Sequence, residues 1–392
     1  MQALPLETGC EHLRAYTLSA GKHRIGVLSL NNPAALNALS LPMVQALYRQ
    51  LLSWRDEAQI ACVLLQAEGE KAFCAGGDLQ DLYRSMQSQA ANHAATPDLS
   101  QTNTTALQFF SEEYRLDLLI HRYAKPILCW GQGYVMGGGI GLMSGASHRV
   151  VSETSRLAMP EVSIGLFPDV GGSWLLSRLP HGAGIFLGLT GAQIQASDAL
   201  YCGLADYAIK QANFCLCLAT LQAQNWSDEA AENQQILHQV LRTLADRDAE
   251  AFATPGPLQQ QQSWIARHCQ GKSSAAVLQQ LLQADPTDAW LQKALLTLRK
   301  GSLLSASLAW TLQNHSRHLS LAQVFSLELQ IALHCCAYGE FQEGIRALLI
   351  DKDKQPRWRF AMTDLASAEL AELLQSWLQQ RWAGQIEFQL EN

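Results

Sequence analysis

Polar and apolar residues alternate along His23-Arg24-Ile25-Gly26-Val27-Leu28-Ser29-Leu30, the period expected of a strand with one face in a core. Asn31-Asn32-Pro33 breaks that run. Ser40 then stands where a helix N-cap is expected, and Leu41, Val44, Leu47, Tyr48 and Leu51 recur at helical spacing. Ala61-Cys62-Val63-Leu64-Leu65 reads as a short buried strand, followed by a turn at Gly76-Gly77 and the start of a helix. Pro126-Ile127-Leu128-Cys129-Trp130 is a further strand leading into Gly133 and a glycine-rich helix start, and His148-Arg149-Val150-Val151 another. Strand, turn and helix in repetition predict an α/β fold, though periodicity alone leaves its topology open.

The pattern changes twice. From Met86 to Thr105 the chain turns to Ser, Gln, Asn, Ala and Thr around a single Pro97, which predicts a flexible insertion or a partly ordered lid. Beyond about residue 211 strand signals vanish, and Leu, Ala and Gln recur at helical spacing. Breaks fall at Thr254-Pro255-Gly256-Pro257 and Ala284-Asp285-Pro286, with helices expected over 302–320 and 326–337. The expected organisation is an α/β core over 1–210 and a helical C-terminal region over 211–392.

Composition narrows the function without naming it. The chain has 392 residues, 48% hydrophobic, and a formal net charge of −7. That is ample for a core, and it argues against a nucleic-acid surface or a polybasic membrane patch. No N-terminal stretch has the charged-then-apolar pattern of a signal peptide, and no apolar run approaches the roughly 20 residues of a membrane helix, so the cytoplasm is the expected compartment. Ten cysteines are present, but Cys215-Leu216-Cys217 and Cys335-Cys336 lack zinc-site spacing. They read as reduced, packed thiols. Cys74 lies in a candidate site loop, yet no His stands in an activating motif beside it.

The candidate chemistry lies in three glycine-punctuated stretches. They are Cys74-Ala75-Gly76-Gly77-Asp78, Met136-Gly137-Gly138-Gly139-Ile140-Gly141, and Met159-Pro160-Glu161 through Pro168-Asp169-Val170-Gly171-Gly172. Glycines allow close approach of a substrate to the backbone, whose amides can grip a carbonyl oxygen, and carboxylates can then act on the polarised carbon. Each feature has a plainer alternative. The triple glycine could serve helix–strand packing, Glu161 a helix first turn, Asp169 a turn cap, Asp78 a helix N-cap, and Glu113 a solvated face. Arg346 and Lys352 could meet phosphates, or pair with Glu343 and Asp351.

Seven motifs in order give these features a context. Leu30-Asn31-Asn32-Pro33-Ala34-Ala35-Leu36-Asn37-Ala38-Leu39-Ser40 and Lys71 through Leu79 come first, then Phe109-Phe110-Ser111-Glu112-Glu113-Tyr114 and Lys125-Pro126 through Gly133. The triple glycine, the Glu161/Asp169 stretch and Phe341 to Ala347 with Leu349 to Trp358 complete the series. This string resembles the crotonase (enoyl-CoA hydratase/isomerase) superfamily, and within it the 3-hydroxyisobutyryl-CoA hydrolase branch. The resemblance covers roughly residues 20–210 and 325–360. It implies a crotonase-like spiral of ββα units with a helical C-terminal extension.

The resemblance also implies roles. The oxyanion hole falls on the backbone amides of Gly77 and Gly138. Hydratases of the superfamily carry a catalytic Glu two residues after the triple glycine, where this chain has Gly141. Their second carboxylate falls on Glu161. The hydrolase branch pairs a Glu with an Asp eight positions later, and here Glu161 and Asp169 keep that spacing as the catalytic pair. Gly76, Asp78, Leu79, Glu113 and Gly137 fall on substrate-binding positions. Asn32 and Ala34 depart from the family, which often places basic residues there for coenzyme A phosphates.

The expected function is therefore hydrolysis of a short 3-hydroxyacyl-CoA thioester, most closely 3-hydroxyisobutyryl-CoA, in valine degradation. The alternatives are an enoyl-CoA hydratase or isomerase, and a non-catalytic acyl-CoA-binding protein. The resemblance implies no metal or redox cofactor, coenzyme A being part of the substrate. The expected partners are an acyl-CoA and a further copy of the chain, not nucleic acid or membrane.

Overall fold

The computed structural model describes residues 3–88, 103–379 and 388. The chain divides into two compact units, each built from three segments: Met1–Gly77, Arg115–Leu157 and Ile194–Gln260 in one, and Asp78–Tyr114, Ala158–Gln193 and Gln261–Asn392 in the other.

The first unit is organised by a seven-stranded sheet. Its strands are β1 (Ala3–Leu6), β2 (Leu13–Ala20), β3 (His23–Leu30), β4 (Ile60–Ala67), β6 (Ile127–Gly131), β8 (His148–Val151) and β10 (Tyr207–Ala208), in the order β1-β2-β3-β4-β6-β8-β10. β1, β2 and β3 pair antiparallel, and β3 onward is parallel through β4, β6, β8 and β10. The β2–β3 hairpin turns at Gly21, which takes a left-handed φ of 66°. β4 is buried at all eight positions, as a central parallel strand covered on both faces should be.

β3, expected to bury one face, is buried at seven of its eight positions, because it too is covered on both sides. Ile25, Val27, Cys62, Leu64, Leu128 and Trp130 join a core with Leu221, Leu237 and Leu241 of the helices Phe214–Gln222 and Ala230–Asp248. The opposite face meets the helix Leu41–Arg55. Its Trp54 lies so close to Gly26 that an added Cβ there would sit 2.7 Å from the indole ring. Ser40 holds the N-cap position of that helix, but its side chain makes no capping bond. A second sheet of three short strands, β5 (Ala72–Cys74), β7 (Tyr134–Met136) and β9 (Arg156–Ala158), runs in the order β5-β7-β9. The α/β class expected from the pattern is what forms.

Helices dominate the second unit. Leu303–Ser316 and Leu321–Tyr338 are buried along most of their length, as helices apolar on all sides must be. Their boundary corrects the expected helix over 302–320. Ser302 caps the first helix and Ser320 opens a capping box with Gln323 on the next, so Ser320 starts a helix rather than ending one. The second helix begins at Leu321, five residues before the expected start. The break at 284–286 separates Ser274–Gln283 from Ala289–Lys300, whose N-cap is Asp288. Among the described residues no strand follows Ala208.

The stretch expected as a lid is described only at its ends. Met86 to Ser88 finish the helix Leu79–Ser88. Asn103 caps Thr104–His121 by accepting from the Ala106 amide at 3.0 Å, and it donates to Ser85 Oγ at 3.0 Å. Residues 89–102, on which the lid expectation rests, lie outside the described residues.

Candidate active site

The glycine turns of the first unit follow from its small sheet. β5 and β7 run parallel, with Ala72 opposite Tyr134 and Cys74 opposite Val135, so both chains leave at the same end. Each leaves through a glycine with positive φ, Gly76 at 107° and Gly137 at 48°. A Cβ on Gly76 would come within 3.6 Å of the Met136 carbonyl oxygen, so the two turns are neighbours. Gly77 follows the first turn and bridges to Leu39, whose amide donates to the Gly76 carbonyl at 2.8 Å. Gly138 is buried as the first residue of the helix Gly138–Ser144, with Gly137 as its N-cap.

Packing, the plain alternative for the triple glycine, is what Gly139 does. Any Cβ there would collide with the backbone of Cys74. Gly141 is likewise buried in that helix, and its amide donates to the Gly137 carbonyl at 3.1 Å. The Asn31–Ser40 motif acquires a structural task. Asn37, in a left-handed conformation, donates to the carbonyls of Ala72 (2.9 Å) and Glu68 (3.0 Å) and accepts from the Asn32 amide (2.8 Å), bracing β5. The Cys74 thiol is buried and directed to the Gly76 carbonyl.

The candidate carboxylates lie in the second unit. Glu161 opens a 3-10 turn, Glu161–Ile164, closed by Gly165 at φ 77°. Gly165 and Gly344 are required because a Cβ on either would strike backbone: Glu340 for the first, Ile164 for the second. The turn is thereby pressed against the helix Glu340–Ile345, which explains the glycine of the Phe341–Ala347 motif. Asp169 lies five residues beyond the turn, and its carbonyl accepts from the Gly172 amide at 2.6 Å. Between them the chain takes an uncommon path. Val170, β-branched, adopts φ 51°, and Gly171 adopts 79°.

Four acids meet here, all buried: Glu161, Asp169, Glu113 and Glu328. Glu113 is no solvated face. Burial and the nearby Asp169 hold its carboxyl well above the usual range. Burial, then Asp169, does the same for Glu161, and Glu113 and Glu328 add to it. Asp169 is pushed up to about 6 by burial, against the Tyr114 hydroxyl, which donates to its Oδ2 at 2.8 Å and favours the anion. Glu328 is pushed up to about 8 by burial and Asp169, although amides of Gly171 (2.7 Å) and Ser173 (2.9 Å) donate to its two oxygens. Glu161 Oε2 is buried without a hydrogen-bond partner among the described residues.

Of the remaining expected substrate residues, Asp78 is the N-cap of Leu79–Ser88, accepting from the Gln80 amide at 3.1 Å. Leu79 begins that helix and is half-buried. Arg346 is spent within its own segment, on Glu343 (2.8 Å), Asp351 (2.5 Å) and Asp353 (2.7 Å). Lys352 is exposed, with a positive φ of 56°. A cavity of about 620 Å³ in this unit is lined by Tyr83, Tyr338, Glu343, Arg346, Arg357 and Arg359 among others, so of the candidate residues it takes in Arg346 but none of the acids or glycines. Tyr114 and Glu328 carried no assigned role in the sequence. Glu328 did leave a signal, a lone charge inside the apolar run Ser326-Leu327-Glu328-Leu329-Gln330-Ile331.

A profile described as enoyl-CoA hydratase/isomerase matches residues 25–374. The chain belongs to that family. Within it the chain is similar to 3-hydroxyisobutyryl-CoA hydrolases. It is 35% identical to the mitochondrial enzyme of Danio rerio, over 86% of this chain and 83% of that one. It is 31% identical to 3-hydroxyisobutyryl-CoA hydrolase 1 of Arabidopsis thaliana, over 86% and 85%. Among solved structures, an enoyl-CoA hydratase from Rhodobacter sphaeroides shares 33% identity with a TM-score of 0.74, covering 92% of this chain and 96% of that one. A carnitinyl-CoA dehydratase from Mycobacterium thermoresistibile shares 28% with a TM-score of 0.80, covering 97% and 100%. The fold is therefore the crotonase fold. Among the described residues no helix is long and apolar enough to cross a membrane. Cytoplasmic placement finds no support in the animal relatives, which are named mitochondrial.

Proposed function

We propose that this chain hydrolyses the thioester of a short 3-hydroxyacyl-CoA, 3-hydroxyisobutyryl-CoA foremost, releasing the hydroxy acid and coenzyme A. The observation that carries the reading is Glu161. It is a buried carboxylate with one unpartnered oxygen, made more basic by burial and by Asp169, its neighbour eight positions on. A nucleophile or general base needs both a free lone pair and a raised proton affinity. The hydrolase relatives support the same reaction, and valine breakdown is the pathway their substrate implies.

In the proposed reaction the Gly77 and Gly138 amides polarise the thioester carbonyl, an effect of about 3–4 kcal/mol per donor. Glu161 attacks that carbon directly, giving an acyl anhydride that water then opens, or takes a proton from the attacking water. In either route the thiolate of coenzyme A leaves and is protonated. Asp169 accepts the substrate 3-hydroxyl and orients the acyl end, while Glu113, Gly76, Gly137, Asp78 and Leu79 line or frame the acyl position. The thioester is already activated, so the scheme calls on no metal or redox cofactor.

The solved relatives titled hydratase and dehydratase favour a second reading, hydration of an enoyl-CoA. Gly141 opposes it, because no side chain there can carry a proton. The deciding assay follows release of free thiol from (S)-3-hydroxyisobutyryl-CoA beside hydration of crotonyl-CoA. Thiol release that falls about a thousandfold in Glu161→Gln supports the hydrolase. Consumption of the crotonyl double bond with no thiol release would overturn it. Single turnover in heavy-oxygen water separates the two routes, since label enters Glu161 only through the anhydride.

A further inference from the structure

We propose that Glu328 is a positioning residue, which holds the Asp169–Ser173 turn in its left-handed path and through that turn aims the Asp169 carboxylate. The inference rests on the hydrolase reading for what Asp169 does, but its geometry stands by itself. Glu328 is fully buried on the helix Leu321–Tyr338. Its Oε2 accepts from the Gly171 amide at 2.7 Å and its Oε1 from the Ser173 amide at 2.9 Å. These are first-turn amides of the helix Gly172–Leu176, which have no intrahelical acceptor, and no side chain of the turn caps them.

The turn needs this support. Val170 at φ 51° and Gly171 at 79° place two consecutive residues in the left-handed region, and a β-branched residue persists there only when its surroundings over-determine it. Phe325, one helical turn before Glu328, closes the other side, where a Cβ on Gly171 would lie 3.2 Å from its ring. Asp169 is thus pinned twice, by Tyr114 at its carboxylate and by Glu328 through the next two peptide units. A carboxylate suits the position because two donors converge on it. A glutamine would present its own N–H groups to one of them.

The test combines Glu328→Gln, Val170→Gly and the double variant. Glycine adopts the left-handed region freely, so Val170→Gly relieves the need for the support. Glu328→Gln is expected to lower kcat for thiol release about 30-fold, with KM changed by less than about threefold. Adding Val170→Gly is expected to restore most of that loss. Unchanged kcat in Glu328→Gln, or a double variant no better than Glu328→Gln, overturns the proposal. Amide hydrogen exchange in the native protein provides a readout independent of substrate and of any variant's folding. Gly171 and Ser173 must exchange as slowly as central residues of Leu321–Tyr338, and rapid exchange overturns the proposal even if thiol is released. Slow exchange in a protein that releases no thiol would sustain the support while rejecting the hydrolase reading.

Discussion

Tyr114 and Asp169 show how a single hydrogen bond sets the character of an acid. Burial raises Asp169 to about 6, and only the Tyr114 hydroxyl and a backbone amide pull it down. Removing the hydroxyl in Tyr114→Phe takes away the larger of those two effects, so the Asp169 carboxyl must rise further. The acid limb of kcat/KM is expected to move to higher pH in that variant, with activity near pH 8 reduced far less than at pH 6. A pH–rate profile unchanged from the native protein would show that Asp169 does not govern the limb. The sequence singled out Glu161 and Asp169 because two acids eight positions apart in a glycine-rich stretch are visible in one dimension, and Glu113 only through the family resemblance. It gave no role to Tyr114 or Glu328, since Tyr114 meets Asp169 through a hydrogen bond across 55 positions and Glu328 meets the Gly171 amide across 157.

Elements were legible where pattern and punctuation agreed. β3, β4, β6 and β8 fall where alternation or a short apolar run placed them, because a buried parallel strand leaves a continuous apolar signature. The helices Leu303–Ser316 and Leu321–Tyr338 were blurred at Ser320 because both are apolar all round, so neither phase nor moment marks their ends. β5 and β7, three residues each, gave no periodic signal, yet they set the two glycine turns side by side. That arrangement leaves no room at Gly139. Gly139→Ala drives a methyl into the Cys74 backbone, so β5 and the helix Gly138–Ser144 must separate. A loss of about 1–3 kcal/mol in denaturant unfolding is expected, together with a drop in kcat well beyond that of Ser144→Ala at the far end of the same helix. Full activity in Gly139→Ala would show that the two turns need not be neighbours.

At the scale of the molecule, the buried acids tie stability to pH. Glu161, Asp169, Glu113 and Glu328 all bind protons more tightly folded than unfolded. Their contribution is therefore fully present below about pH 4, the ordinary range of carboxylates, and is lost as pH rises through about 6 for Asp169 and about 8 for Glu328. Urea unfolding is expected to show a stability lower at pH 8.5 than at pH 5.5 by about 2 kcal/mol or more, with Glu113→Gln narrowing the gap. A flat or rising profile would contradict the raised proton affinity that burial gives these acids.

The two compact units exchange the chain five times, at the junctions after Gly77, Tyr114, Leu157, Gln193 and Gln260. During synthesis from the N-terminus, Glu113, Tyr114, Glu161 and Asp169 leave the ribosome long before Glu328, and the first-made acids spend that interval in water with the ordinary acidity of free carboxylates. Their raised proton affinity is thus not a property of the segment that bears them. It is conferred late, when the last third of the chain arrives to close over them, so a prematurely terminated polypeptide would carry both acids of the proposed pair without the burial that raises their proton affinity.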